Sequence, residues 1–167
     1  LAAYDAFSRQ VPKRKAVIVY DTMWHSTEKM ANALTEALVE RGVSVKPMSL
    51  KAFHHSDVMA EVIDAAAVLV GSPTHNNSMM PLVADVLTYM KGLKPVKKVA
   101  AAFGSYGWSG EAVKHVTEKL AEMKFDIVEP GVRSKFVPGH DKLAECKQLG
   151  YAVADVIDRA LVDAGKA

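Results

Sequence analysis

The sequence predicts an α/β domain: an open, doubly wound sheet of five parallel strands with helices on both faces. Short apolar runs alternate along the chain with longer segments whose apolar residues recur every three or four positions, so strands and helices alternate. The runs lack polar alternation, as in Val68-Leu69-Val70, which is typical of strands covered on both faces. Short connections between the segments favour parallel pairing with right-handed crossovers.

Taken in order, the predicted strands are residues 16–20, 43–48, 66–70, 99–103 and 125–128, with a short extension at 134–137. The first helix ends at Gly42, and the second spans residues 55–65. The third has Pro81 in its first turn and Gly92 after its last apolar residue. A fourth follows the 99–103 strand, and Asp141 caps a long last helix.

Before the first strand, Tyr4, Phe7 and Val11 have helical spacing, which predicts a short amphipathic helix or an ordered linker that Pro12 ends. Residues 15–167 are enough for one domain with a core of its own. We therefore treat residues 1–14 as a separate leading segment.

Composition excludes several classes of protein. Half of the residues are hydrophobic and the formal net charge is +2, which favours a globular domain and argues against a nucleic-acid surface. No apolar run approaches the roughly 20 residues of a membrane span. The single cysteine, Cys146, excludes an intrachain disulfide framework and suits a reducing compartment such as the cytoplasm. Its place on an apolar helix face predicts a small buried side chain.

In doubly wound sheets, ligands bind beyond the carboxyl ends of the strands, near the point where the strand order reverses. The loop after the first strand, in "YDTMWHSTEKMA" (residues 20–31), places Thr22, Ser26 and Thr27 around the start of a helix. The unpaired N–H groups of that helix and these hydroxyls could hold a phosphate without any Lys or Arg. The simpler alternative is a strand-to-helix turn in which Ser26 is only the N-cap.

The loops after the third and fourth strands are "GSPTHNN" (71–77) and "FGSYGWSG" (103–110). Their glycines allow the backbone to approach a flat ligand closely, and Tyr106, Trp108 and Trp24 offer rings that could stack on it. The alternatives are partial burial for the aromatic residues and an ordinary turn at Asn76 and Asn77. Three such loops at one edge favour a ligand site.

The segments "YDTMWHSTEKMA", "VLVGSPTHNN" and "AAFGSYGWSGEAVK" resemble the C-terminal flavodoxin-like FMN domain of flavodiiron proteins, also called A-type flavoproteins. The resemblance runs from about Lys15 to the last helix. One residue departs from the ordinary flavodoxin phosphate loop: His25 lies near the position of a glycine, and its role stays open.

By this resemblance, fifteen residues in three groups would bind FMN, and none would be catalytic or bind a metal. The phosphate would be surrounded by Thr22, Met23, Trp24, His25, Ser26 and Thr27. The ribityl chain and flavin ring would be flanked by Pro73, Thr74, His75 and Asn76. The outer wall would be formed by Gly104, Ser105, Tyr106, Gly107 and Trp108.

The resemblance also implies a role and partners. The domain would pass electrons from a rubredoxin or an NADH-linked reductase to a diiron centre that reduces O2 or NO. In this family that centre lies on an N-terminal domain, and the proteins work as head-to-tail homodimers. We expect no nucleic-acid or membrane partner. Residues 1–14 would then be a linker or the remnant of the preceding domain.

Two alternatives compete with this interpretation. A free-standing flavodoxin or a small flavin reductase would share the fold and the cofactor. A signalling receiver domain would need a phosphoacceptor carboxylate after the third strand and a carboxylate pair after the first. Only Asp21 follows the first strand, and the third ends in Gly71-Ser72-Pro73, which argues against a receiver.

His54 and His55 are adjacent and therefore point in different directions, which argues against a metal pair.

Overall fold

The computed structural model describes residue 5 and residues 8–165, and in this part of the chain strands alternate with helices. The elements are β1 (Lys13–Tyr20), α1 (Ser26–Glu40), β2 (Ser44–Ser49), α2 (His55–Val62), β3 (Ala65–Gly71), α3 (Pro81–Leu93), β4 (Val99–Tyr106), α4 (Glu111–Glu122), β5 (Asp126–Ile127), β6 (Val132–Lys135) and α5 (His140–Gly165). No helix among the described residues is both long and apolar enough to cross a membrane.

The strands form one parallel sheet in the order β2-β1-β3-β4-β5. The chain first moves from β1 outward to β2, and then crosses back to place β3 on the other side of β1. The strand order therefore reverses between β1 and β3, and the carboxyl ends of these strands flank the switch point. The predicted doubly wound parallel sheet is confirmed.

The fifth position of the sheet is occupied by two short strands. β5 pairs with Val99 and Ala100, whereas β6 pairs with residues 103–106 of the same strand. Between them the chain passes so close to β4 that a Cβ on Gly131 would lie 2.5 Å from the Ala102 carbonyl oxygen. Only glycine permits this approach. The predicted extension at 134–137 is therefore wrong in its bounds, because β6 begins and ends two residues earlier.

Two apolar cores cover the faces of the sheet. Side chains alternate along β1, so that Ala16 and Ile18 pack beneath α1 and α5, while Val17 and Val19 pack against α2, α3 and α4. Cys146, on α5, is fully buried in the first core, as predicted, and burial raises the pKa of its thiol to about 12. The thiol is therefore inert at neutral pH.

The helix or ordered linker predicted for the leading segment stays a prediction. Tyr4 and Phe7, on which the predicted helix rests, lie outside the described residues, and Val11 is exposed. β1 begins at Lys13, three residues before the predicted start. Its first residue is fixed because the Lys13 N–H donates to the Asp64 carbonyl oxygen (2.7 Å) and the Lys13 ammonium pairs with the Asp64 carboxylate.

A lysine is buried at the amino edge of the sheet, opposite the edge with the three loops. The Lys98 side chain has almost no exposed surface, and its ammonium donates to the carbonyl oxygens of Ile63 (2.9 Å) and Ala65 (2.7 Å). Burial lowers the pKa of Lys98 to about 8, although the Asp64 carboxylate opposes the shift. The charged form is thus disfavoured by folding.

We expect this lysine to make stability increase with pH. Below about pH 8 it is protonated in the folded and unfolded states, so its burial cost is fully present; from about pH 8 to about pH 10.4 only the folded state loses the proton. The free energy of unfolding of the parent, relative to Lys98→Met, should rise by about 2 kcal/mol between about pH 7 and about pH 10. Urea unfolding at both pH values measures this difference. Lys97 is the exposed neighbour, so Lys97→Met is the control, and its stability should follow the parent's at both pH values. Parallel pH profiles for the parent and Lys98→Met would contradict a lowered pKa for Lys98.

Candidate cofactor site

The loops that follow β1, β3 and β4 meet at the carboxyl edge of the sheet and surround a cleft of about 330 Å³. The cleft is lined by Met23, Trp24, Ser26, Pro73, Thr74, Ser105, Tyr106, Gly107, Trp108 and Phe136. Nine of these ten belong to the fifteen predicted site residues. The other six predicted residues lie in the same loops but do not line the cleft: Thr22, His25, Thr27, His75, Asn76 and Gly104.

The first turn of α1 borders the cleft through Ser26. The helix begins at Ser26, and the residue at its N-cap position is His25, with φ 63° and ψ 4°. No side chain caps the helix there, so the interpretation of Ser26 as a simple N-cap is wrong. The N–H groups of the first turn keep their partial positive charge and their capacity to bind an anion.

Three hydroxyls surround this helix start. Among the described residues, the Thr22 hydroxyl oxygen is buried without a hydrogen bond. Ser26 is nearly buried where it borders the cleft, and the Thr27 hydroxyl lies 3.0 Å from that of Ser105. A buried hydroxyl without a partner costs about 1–3 kcal/mol, and an acceptor supplied by a ligand would remove that cost.

The His25 side chain turns away from the cleft. Its Nδ1 lies 2.6 Å from the Glu28 carboxylate in the first turn of α1, and the side chain is largely exposed. The same carboxylate lies 3.5 Å from the Tyr20 hydroxyl. Burial, with a smaller effect of Glu28, raises the pKa of Tyr20 above its ordinary value. His25 therefore contributes its left-handed backbone to the loop.

The second loop is tied to both neighbours. Buried Ser72 accepts from the Met80 N–H (2.9 Å) and donates to the Pro73 carbonyl (2.8 Å). The Thr74 N–H donates to the Ser105 carbonyl (2.8 Å), and the Thr74 hydroxyl accepts from the Ala112 N–H at the start of α4 (3.2 Å). These bonds fix Pro73 and Thr74 in the cleft wall.

The rest of the second loop forms a tight turn. His75 and Ser78 exchange backbone hydrogen bonds of 2.8 and 3.0 Å, and the two residues between them, Asn76 and Asn77, have φ angles of 48° and 59°. Two left-handed residues in succession make a hairpin turn, which Asn tolerates better than most residues. His75 and Asn76 are exposed on this turn and do not line the cleft. The alternative of an ordinary turn at Asn76 and Asn77 is therefore what the structure shows.

The third loop begins with a close contact between strands. A Cβ on Gly104 would lie 2.0 Å from the Ser72 carbonyl oxygen, so only glycine fits where β4 passes the end of β3. The aromatic rings beyond it differ in exposure: Tyr106 is half-buried, whereas Trp24 and Trp108 are 84% and 99% exposed. Partial burial explains only Tyr106, and the two indoles are free to cover a ligand.

Sequence reasoning missed one residue of the cleft. Phe136 follows β6 and lines the cleft beside Tyr106 and Gly107. The sequence predicts it inside the 134–137 strand, where its ring would belong to the sheet. An aromatic residue just after the last edge strand is the only signal of its position in the sequence.

The two adjacent histidines have structural roles. His54 caps α2, where its Nδ1 accepts from the Ser56 N–H and the Asp57 carboxylate accepts from the His54 N–H. His55 lies 2.6 Å from the Asp85 carboxylate and packs against the Tyr89 ring. Across residues 8–165, the His, Cys, Asp and Glu side chains form no group of three or more that could hold a metal ion.

Comparison with known proteins agrees with this geometry. The family model described as flavodoxin matches residues 18–150. The rubredoxin-oxygen oxidoreductase of Megalodesulfovibrio gigas is 48% identical over 158 residues, which cover 95% of this chain and 39% of that protein. The nitric oxide reductase of Moorella thermoacetica is 46% identical over 155 residues, which cover 92% of this chain and 39% of that protein. The crystal structure of the flavodiiron protein from Giardia intestinalis superimposes with a TM-score of 0.93 at 31% identity, covering 97% of this chain and 41% of that one.

Proposed function

The chain belongs to the flavodoxin family, and on that premise we propose that it is the FMN-binding electron-transfer domain of a flavodiiron protein. One observation supports this most directly. A cleft bordered by exposed aromatic rings adjoins an uncapped helix start with an unpaired, buried hydroxyl. FMN has both matching parts, a flat ring system and a phosphate.

The residues around the start of α1 fit the phosphate. The N–H groups of its first turn and the hydroxyls of Thr22 and Ser26 would hold it, and the Thr22 hydroxyl would gain the acceptor that the described residues do not provide. Thr27 would support the site from below through its hydrogen bond to Ser105. The helix dipole favours a dianion here although no Lys or Arg of the described residues lines the cleft.

The residues of the other two loops fit the ring system. Bound FMN would supply the electron storage, which is chemistry of the cofactor and not of a side chain. Tyr106, Trp108 and Trp24 would cover the ring and exclude water, and Pro73 and Thr74, which also line the cleft, would border it. Hydrogen bonds join Thr74 of the second loop to Ser105 of the third loop and to Ala112 in α4, so the two loops keep a fixed distance from each other.

The chain spans about two fifths of the length of the curated relatives it matches. We infer that the remainder of the parent protein holds the diiron centre that reduces O2 or NO, since the two relatives are an oxygen and a nitric oxide reductase. The electron donor would be a rubredoxin, as the name of one relative indicates, or an NADH-linked reductase. A head-to-tail homodimer in the cytoplasm completes the proposal.

The isolated chain should bind one FMN per protein and consume O2 only slowly. Reduction of O2 to water takes four electrons, while one FMN stores two, and the described residues offer no group of metal ligands. Any O2 that the reduced chain consumes should therefore be converted to superoxide or peroxide. The measurement combines the flavin absorbance of the reconstituted chain with O2 uptake and peroxide yield after chemical reduction.

The parent protein with its iron is the control, and it should consume O2 rapidly without releasing peroxide. A chain that takes up no added FMN would refute the proposed cofactor. Fast O2 uptake by the chain without peroxide would instead show that the chain is a complete oxygen reductase.

A further inference from the structure

The residue that follows β6, Phe136, has a backbone conformation that its side chain disfavours. Its φ angle is 58°, and it is the only apolar residue among the eight non-glycine residues of the described chain that have a positive φ. The other seven are polar or charged. For a bulky L residue the left-handed region is an outlier, and such outliers concentrate at functional sites.

Contacts to the third loop hold Phe136 in this conformation. β6 runs beside β4 with Lys135 opposite Tyr106, and the Phe136 N–H continues the ladder by donating to the Tyr106 carbonyl (2.7 Å). Gly107, the residue after β4, lies beside the ring, since a Cβ there would make an ordinary contact of 3.7 Å with the Phe136 Cε1. The Lys135 ammonium lies 5.4 Å from the ring centroid, a cation–π distance that restrains the ring.

Burial does not explain an aromatic side chain at this position. The Phe136 residue is 63% exposed, and its ring forms part of the cleft lining. Glycine or asparagine would suit the backbone better, and a polar side chain would suit the exposure. The benefit of an aromatic ring here must come from something that the cleft binds.

We propose that Phe136 is a further binding residue of the flavin site, whose ring contacts the flavin ring system and not the phosphate. The inference rests on the proposed function, because it assigns a residue to the same cleft. It adds a fourth segment, the β6–α5 connection, to the loops after β1, β3 and β4. The groups proposed to bind the phosphate lie around Ser26 and Thr22, whereas Phe136 packs at Gly107 in the third loop.

The test compares FMN with riboflavin, which lacks the phosphate, in titrations of the apo-protein followed by flavin fluorescence. Phe136→Gly removes the ring and relieves the backbone. We expect both flavins to bind about three- to ten-fold more weakly, with the FMN-to-riboflavin affinity ratio unchanged. The thermal midpoint of the apo-protein should stay equal or rise, because glycine adopts a positive φ without strain.

Val137→Ala is the matched control, because Val137 is the next residue, is similarly exposed and does not line the cleft; it should bind both flavins as the parent does. Phe136→Leu keeps an apolar side chain, and should weaken both flavins without changing the fold. A Phe136→Gly chain that binds both flavins like the parent would overturn the inference, as would a loss confined to FMN. A parent chain that binds neither flavin would refute the proposed function itself, which is a separate result.

Discussion

Replacing Gly104 by alanine should destabilise the domain by about 3 kcal/mol or more and abolish FMN binding. The new Cβ would lie 2.0 Å from the Ser72 carbonyl oxygen, which is backbone and has no rotamer to change. The ends of β3 and β4 would have to separate, although the Ser72 N–H donates to the Phe103 carbonyl (3.1 Å) and the Thr74 N–H to the Ser105 carbonyl (2.8 Å). Both bonds hold the cleft walls together.

Urea unfolding and FMN titration measure the two effects of Gly104→Ala. The matched control is Gly92→Ala in α3, where a Cβ would meet no atom within 4 Å. This control should be as stable as the parent or up to about 1 kcal/mol more stable, because alanine favours the helix. Native stability and affinity in Gly104→Ala would mean that the strand ends can separate at no cost.

The second large effect is the preference for FMN over riboflavin, which we expect to reach about 100-fold or more. Two hydrogen bonds to a phosphate, each contributing about 1.5–3 kcal/mol, are enough for this ratio. The donors would be the first-turn N–H groups of α1 and the hydroxyls of Thr22 and Ser26. Parallel titrations of the apo-protein with the two flavins give the ratio.

Single hydroxyl deletions locate this preference. Ser26→Ala should weaken FMN by about 10- to 100-fold and leave riboflavin unchanged, since its hydroxyl would contact only the phosphate. Thr27→Ala should weaken FMN by a similar factor, but it also breaks the bond to Ser105, which makes Ser26 the cleaner probe. Ser44→Ala, at the exposed first residue of β2 on the amino edge, is the control and should change neither affinity. Equal binding of FMN and riboflavin by the parent would show that the start of α1 is not a phosphate site.

Much of the fold could be predicted because the pattern of apolar residues is local. Val68-Leu69-Val70 shows by itself that β3 is covered on both faces, and the helical spacing after each strand shows the alternation of elements. Parallel order follows from short crossovers, and parallel order places the loops after β1, β3 and β4 at one edge. The sequence therefore determined the architecture and the edge at which a ligand would bind.

Which residues line the cleft was decided by the backbone conformation of the loops. The left-handed backbone of His25 leaves the first turn of α1 uncapped, and the turn at Asn76 and Asn77 carries His75 away from the cleft. Neither effect has a local hydrophobic signature, because a φ angle is set by the hydrogen bonds and packing around a loop.

The break in the fifth strand was also decided only in the folded chain. Gly131 passes within contact of the Ala102 carbonyl, and this approach sets where β6 begins beside β4. The register between β4 and β6 then places Phe136 next to Gly107, about thirty positions away in the chain, as a fourth side of the cleft. The sequence by itself determined the periodicity of each element and the chemistry of the loops. Only the tertiary structure decided the register and the loop conformations, because both depend on contacts between residues that are far apart in the chain.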